Sequence, residues 1–129
     1  MTKASTIPLA GFVAAGLPIE PIPQMEVVEV PPAMTGKGEH FGLRIKGESM
    51  RDEGILSGDL VIVRKQQTAR SGQTVVALIN GEATIKTYRP KPDHIELHPA
   101  NERMQPILVR PDDTFEIQGV VTGVIRYCE

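Results

Sequence analysis

From Phe41 the chain alternates. Phe41, Leu43 and Ile45 are apolar, Gly42, Arg44 and Lys46 are not, and this period of two predicts a half-buried strand. Residues 59–65 (DLVIVRK) follow a Ser57-Gly58 turn, and residues 74–79 (TVVALI) are β-branched and apolar, so two more strands are expected. Asn80-Gly81 joins the second of these to residues 83–88. Asn-Gly between two such runs is the strongest short-range hairpin signal, since a tight hairpin turn needs positive φ at both residues. Short strands are predicted at 94–98 (HIELH) and 107–109 between proline-bearing loops. A last strand covers 115–127, with Gly119 and Gly123 as bends that could also admit another backbone closely.

Before Phe41 the pattern differs. Residues 1–6 (MTKAST) read as a polar tail. Residues 7–23 (IPLAGFVAAGLPIEPIP) are small and apolar but carry Pro8, Pro18, Pro21 and Pro23, which forbid a stable helix. An extended segment lying on the body of the protein is expected there. Residues 25–30 (MEVVEV) read as a strand stopped by Pro31-Pro32, and 33–40 as a loop. The result is about eight strands and at most one helical turn, near residues 50–53. The fold class is mostly β, with strongly bent antiparallel sheets and little helix.

The 129 residues suit one domain able to bury a core. Aromatics are only 4% and Trp is absent, so Val, Ile and Leu must fill that core. A net charge of −2 argues against this chain gripping a DNA backbone by itself. The lone cysteine, Cys128, excludes an internal disulfide and a cysteine metal cluster and fits a reduced, cytoplasmic setting. No apolar run approaches the ~18 residues of a membrane span, and no signal peptide is read.

Candidate chemistry begins at Ser49. It follows Gly47 at a strand end and precedes a polar turn with Asp52, Glu53 and Gly54. A serine there can project its hydroxyl into a cleft, with nearby backbone N–H groups facing an oxyanion. Most serines in such places serve the turn itself. Lys86 lies in EATIKTYR, where alternation groups it with Thr84 and Tyr88. A strand lysine ordinarily faces water. If it is buried, desolvation lowers its pKa and leaves an amine able to activate a serine, a known variant of triad logic. Local pattern leaves both readings open at both residues. His40, His94 and His98 are the histidines that could serve Ser49 instead, but His94 and His98 straddle a short strand beside Pro92 and Pro99 and are read as surface residues, which disfavours a Ser–His–Asp triad. No histidine pair is expected beside carboxylates, so no metal and no cofactor is expected.

The residues then resemble a family. GESMRDEGILSGDLVIV (47–63) precedes VVALINGEATIKTY (75–88), with 37 positions from Ser49 to Lys86. Together they look like the LexA-type self-cleaving serine peptidases. PLAGFVAAGLPIE (8–20) resembles the cleavage region of that family, ELHPANERMQPILV (96–109) and GVVTGVIR (119–126) also match, and the resemblance runs from Ile7 to Tyr127.

It implies that Ser49 attacks the Ala15–Gly16 bond of its own chain, with Lys86 as uncharged general base. Backbone N–H groups at Glu48 and Ser49 would hold the oxyanion. It divides the chain into a tail (1–6), a cleavage-site segment (7–24) and a peptidase and dimerisation domain (25–129). It also implies a homodimer formed through residues 120–126, stimulation by a RecA–single-stranded DNA filament, and a role in the SOS response. Operator DNA would be held only by an N-terminal helix-turn-helix domain, which this sequence does not carry.

A UmuD-like polymerase accessory protein matured by the same cut is the alternative. That type typically carries Cys-Gly where this chain has Ala-Gly. A non-cleaving phage-type repressor module is disfavoured by the intact Ser49, Lys86 and Ala15–Gly16. Signal peptidase shares the Ser-Met and Gly-Asp pairs but needs a membrane anchor. Cys128 is read as an incidental thiol.

Overall fold

Two stretches are apolar without a break, and both become strands covered on both faces. They are β4 (Leu60–Lys65) and β5 (Thr74–Ile79). Val61 and Val63 of β4 pack in one cluster with Leu43, Met50 and Ile85, while Ile62 between them packs on the other face with Ile7 and Val30. In β5, Val76 joins the first cluster, and Val75 and Ala77 join a second with Leu97, Ile117 and Val120.

The computed structural model describes residues 5–14 and 20–126. The other strands are β1 (Ser5–Ala14), β2 (Glu20–Val30), β3 (His40–Lys46), β6 (Glu82–Pro90), β7 (Ile95–His98), β8 (Ile107–Val109) and β9 (Phe115–Ile125). All nine lie in one sheet, in the order β2-β1-β3-β4-β9-β5-β6-β7-β8. The fold is mostly β, as expected from the pattern. The helical content described is two single 3-10 turns, Pro32–Met34 in a stretch expected as loop and Arg51–Glu53 where one turn was expected. No helix among the described residues is long and apolar enough to cross a membrane.

The Asn80-Gly81 hairpin is present. Ile79 pairs with Glu82, and the two turn residues take φ of 51° and 83°. Elsewhere the strands exceed expectation. The N-terminal segment is an antiparallel strand pair rather than an extended segment resting on the body, which raises the strand number among the described residues to nine. β1 starts at Ser5, inside the stretch read as tail, and β2 is longer than residues 25–30. Proline hid this pairing, yet it is tolerated. β2 is an edge strand, and β1 pairs with β3 only from Leu9 onward, so Pro8 has no β3 partner to deprive of a donor.

Not every pair is antiparallel. β1 runs parallel to β3, with Val13 opposite Ile45 and Ala14 opposite Lys46. The chain reverses once into β2 and again into β3, and two reversals restore the direction.

β9 joins the two halves of the sheet. Residues 119–125 pair with β4 and residues 115–120 with β5, with register shifts in both partners. At Gly119 a Cβ would lie 2.5 Å from the Arg64 carbonyl oxygen and 2.5 Å from Val63 Cγ1. Glycine is required there by close approach. Beyond β9, Arg126 closes the sheet end. Its Nε and Nη2 donate to the two carboxylate oxygens of Asp59, each at 2.8 Å, and Nη2 also donates to Gly54 O at 2.7 Å. Asp59 is 1% exposed and also accepts the Leu56 N–H. The hydrogen-bonded Arg126 guanidinium holds its carboxyl below the usual aspartate value.

Candidate active site

Ser49 stands on a turn that β3 launches and β4 receives. Gly47 takes a φ of +99°, which favours glycine, and Gly54 ends the 3-10 turn in the left-handed conformation at +81°. Met50, 1% exposed, plugs the core beneath the turn. Polar bonds clasp it from two sides. Glu53 accepts the hydroxyls of Thr74 (3.2 Å) and Thr87 (3.4 Å), which tie it to β5 and β6. On the other side Asp52 N–H donates to Ala100 O at 2.6 Å, Glu102 N–H donates to the Asp52 carboxylate, and Asn101 Nδ2 donates to Glu48 O at 2.8 Å. Ser49 itself is buried.

Lys86 comes from the second arm of the Asn-Gly hairpin. Both faces of β6 are covered from Ala83 to Thr87, so alternation gives Lys86 no outlet to water, and it is 3% exposed. Its Nζ donates to Thr84 Oγ1 and, at 3.2 Å, to Ile85 O. The Ser49 hydroxyl reaches the same Ile85 oxygen at 3.5 Å, a long bond. Oγ and Nζ are therefore no further apart than two hydrogen bonds meeting at one carbonyl. Among the described residues no carboxylate pairs with Lys86. Burial alone pushes its pKa from 10.5 down to about 8. An amine so tuned, no more than two hydrogen bonds from a buried serine hydroxyl, has the proton affinity that a general base near neutral pH requires.

The Ala15–Gly16 pair lies outside the described residues, as do Tyr127 and Cys128. The preceding residue, Ala14, is opposite Lys46, three positions before Ser49. Among the described residues the N–H groups of Glu48 and Ser49 have no hydrogen-bond acceptor. Residues 121–125 pair with β4 on one side, and β5 is absent from the other, so that edge has no strand partner among the described residues.

The histidines differ from expectation. His94 and His98 both bond Glu96, each at 2.8 Å, and Asp93 takes the other nitrogen of His94. Residues two apart on a strand share a face, which is how one carboxylate comes to sit between two imidazoles. Bonds to Asp93 and then Glu96 raise the His94 pKa. Among the described residues no such group is arranged to hold a metal ion. His40 is buried, with Nδ1 3.0 Å from Gly38 O.

Thr84, Glu53 and Asn101 support the site and were not singled out from the sequence. Thr84 could have been found, because it shares the face of Lys86. The other two act across 21 to 53 positions, and no local pattern announces them.

Residues 8–122 match the family model described as Peptidase S24-like. The chain is 60% identical over 125 residues to a LexA repressor of Syntrophotalea carbinolica, covering 97% of this chain and 62% of that protein. It is 51% identical over 125 residues to a LexA repressor of Syntrophobacter fumaroxidans (97% and 60%) and 46% identical over 128 to one of Pseudothermotoga lettingae (97% and 64%). It thus spans roughly three fifths of the length of these curated relatives. The family match takes in the serine turn, the lysine strand and the start of the segment that leads to them, and on that match this chain belongs to the Peptidase S24-like family.

Proposed function

We propose that this chain cuts itself between Ala15 and Gly16 with Ser49 as nucleophile and Lys86 as base. Ser49 Oγ attacks the Ala15 carbonyl carbon while Lys86 takes the hydroxyl proton. The N–H groups of Glu48 and Ser49 hold the oxyanion. Lys86 then returns the proton to the Gly16 nitrogen, the C–N bond breaks, and Ala15 is left as an ester on Ser49. Water, activated by Lys86, hydrolyses the ester. Because nucleophile and bond share a chain, attack is unimolecular and gains the high effective concentration of a tethered reaction.

The observation that carries this reading is the convergence on the Ile85 carbonyl of a buried serine hydroxyl and a buried lysine amine that has no acidic partner among the described residues. The direction of β1 supports it as well, since its last residue is opposite Lys46. Residues 7–24 then serve as the substrate segment and 25–129 as the peptidase and dimerisation domain. The similarity to LexA repressors supports the further reading that this is the regulatory part of a cytoplasmic SOS repressor. Operator DNA is held by another domain of such a repressor, and a RecA–single-stranded DNA filament stimulates the cut. Pairing of two copies through the free edge of residues 121–125 gives the homodimer.

The test is incubation from pH 6 to pH 11 followed by mass measurement. The parent yields fragments ending at Ala15 and starting at Gly16, with a rate that rises through about pH 8 as Lys86 loses its proton. Ser49→Ala stays whole. A cut at another bond, or an equal rate in Ser49→Ala, defeats the reading.

A further inference from the structure

We propose that Asn101 is a positioning residue that aims the Ser49 N–H at the developing oxyanion through the Glu48–Ser49 peptide plane. The proposal rests on the Ser49–Lys86 reading above. Asn101 is 6% exposed, and both ends of its amide are committed. Nδ2 donates to Glu48 O at 2.8 Å, and Oδ1 accepts the Arg103 N–H at 3.0 Å. The loop that delivers it is anchored on either side, through Ala100 O and Glu102 N–H, to Asp52.

Glu48 C=O and Ser49 N–H belong to one peptide unit. In a trans peptide the two point in opposite directions, and no cis bond occurs among the described residues. Drawing the carbonyl toward Asn101 therefore turns the Ser49 N–H away from it, and that N–H has no acceptor among the described residues. The other bond to Glu48 O, from Arg51 N–H, is longer at 3.2 Å. Gly47 just upstream sits at φ +99° with open space where a Cβ would be, so no side-chain packing at that position fixes the plane. A side chain that arrives from 53 positions away supplies the shorter of the two bonds orienting the plane.

Asn101 has no bond to Lys86, so its loss spares the base. Asn101→Ala and the near-isosteric Asn101→Asp are compared with the parent in two assays. The first is self-cleavage from pH 6 to 11. The second is labelling of Ser49 by a small phosphonofluoridate, read by mass. In labelling, the Oγ–P bond forms, P–F breaks, fluoride leaves and the hydroxyl proton passes to Lys86, while the P=O oxygen draws on the same donors. Full loss of one such donor slows acyl transfer about 10²–10³-fold, and misaiming it costs about 10–100-fold. Both variants should lose that factor in the alkaline plateau and in labelling, with the pH midpoint unmoved.

An unchanged plateau and unchanged labelling in both variants overturn the proposal. So does a loss explained wholly by a midpoint displaced toward the ordinary lysine value, which reports a collapsed base pocket. A parent that is labelled but never cuts defeats the cleavage reading alone, and Asn101 is then judged on labelling. A parent that neither cuts nor is labelled at Ser49 defeats both, and one that cuts without being labelled leaves Asn101 to be judged on the cleavage plateau.

Discussion

Lys86 and Asp59 are both buried ionisable groups, 3% and 1% exposed, and the chain treats them in opposite ways. Asp59 receives the Arg126 fork and a backbone N–H, so its charge is matched on the spot. Its pKa falls, which for a carboxyl means more firmly charged. Among the described residues Lys86 receives only neutral oxygens. Its pKa also falls, which for an amine means more easily discharged. A buried charge with a counterion is fixed and fastens structure. A buried charge without one is held near its titration point, as a base requires.

The strongest test removes the unmatched charge. Lys86→Met should abolish self-cleavage, a loss of at least about 10²–10⁴-fold for a general base, measured by mass spectrometry. It should also stabilise the fold. In the parent the unfolded chain binds the Lys86 proton more tightly between pH of about 8 and 10.5, so stability rises with pH across that window. Below it the parent bears the whole cost of a buried ammonium, about 3 kcal/mol at about 1.4 kcal/mol per pH unit. Urea unfolding at pH 7 should show the variant more stable by up to about that amount, with the gap closing above pH 10.5. Equal stability at both pH values would mean that Lys86 is not desolvated.

Next comes the matched charge. Arg126→Ala leaves Asp59 buried without its cation and should cost about 2 kcal/mol. That is less than the roughly 3–5 kcal/mol of a fully enclosed pair, because Arg126 is 43% exposed. The sign with pH is opposite to that of Lys86. Asp59 stabilises the parent fully above its unfolded value of 3.8, and the contribution is lost as pH falls through the lower folded value. Thermal melts taken from pH 7 downward should therefore show the gap between parent and variant narrowing as Asp59 takes up its proton.

Smaller still is Thr84→Val, which removes one acceptor from Lys86 at nearly constant volume. The ammonium loses a partner, so the cleavage midpoint moves below about 8, and a less well-held amine cuts roughly tenfold more slowly. A midpoint that rises instead would show that water, not Thr84, solvates the amine.

How much of this was legible follows from the range of each interaction. The FGLRIKG alternation, the apolar run of β4 and the Asn80-Gly81 turn are set by neighbours in sequence, and they appear where the pattern puts them. The resemblance paired Ser49 with Lys86, but no local pattern told whether Lys86 is buried. That depends on both faces of β6 being covered by strands far away in sequence. The β1–β2 pairing was hidden because proline scoring ignores which edge of a strand goes unpaired. The meeting of His94 and His98 at Glu96 needed only the alternation of one strand, and the separate reading of the two histidines missed it.

One feature of the sheet bears on all of these experiments. The serine turn hangs from the β3–β4 arm and the lysine from the β5–β6 arm. The ladder between those arms runs through β9, and only Gly119 and Val120 touch both sides. That two-residue overlap is the narrowest seam of the sheet, and the Glu53 bonds to Thr74 and Thr87 stitch across it a second time. The span between hydroxyl and amine is therefore pinned at two places, and the glycine wedged against Arg64 is one of the pins.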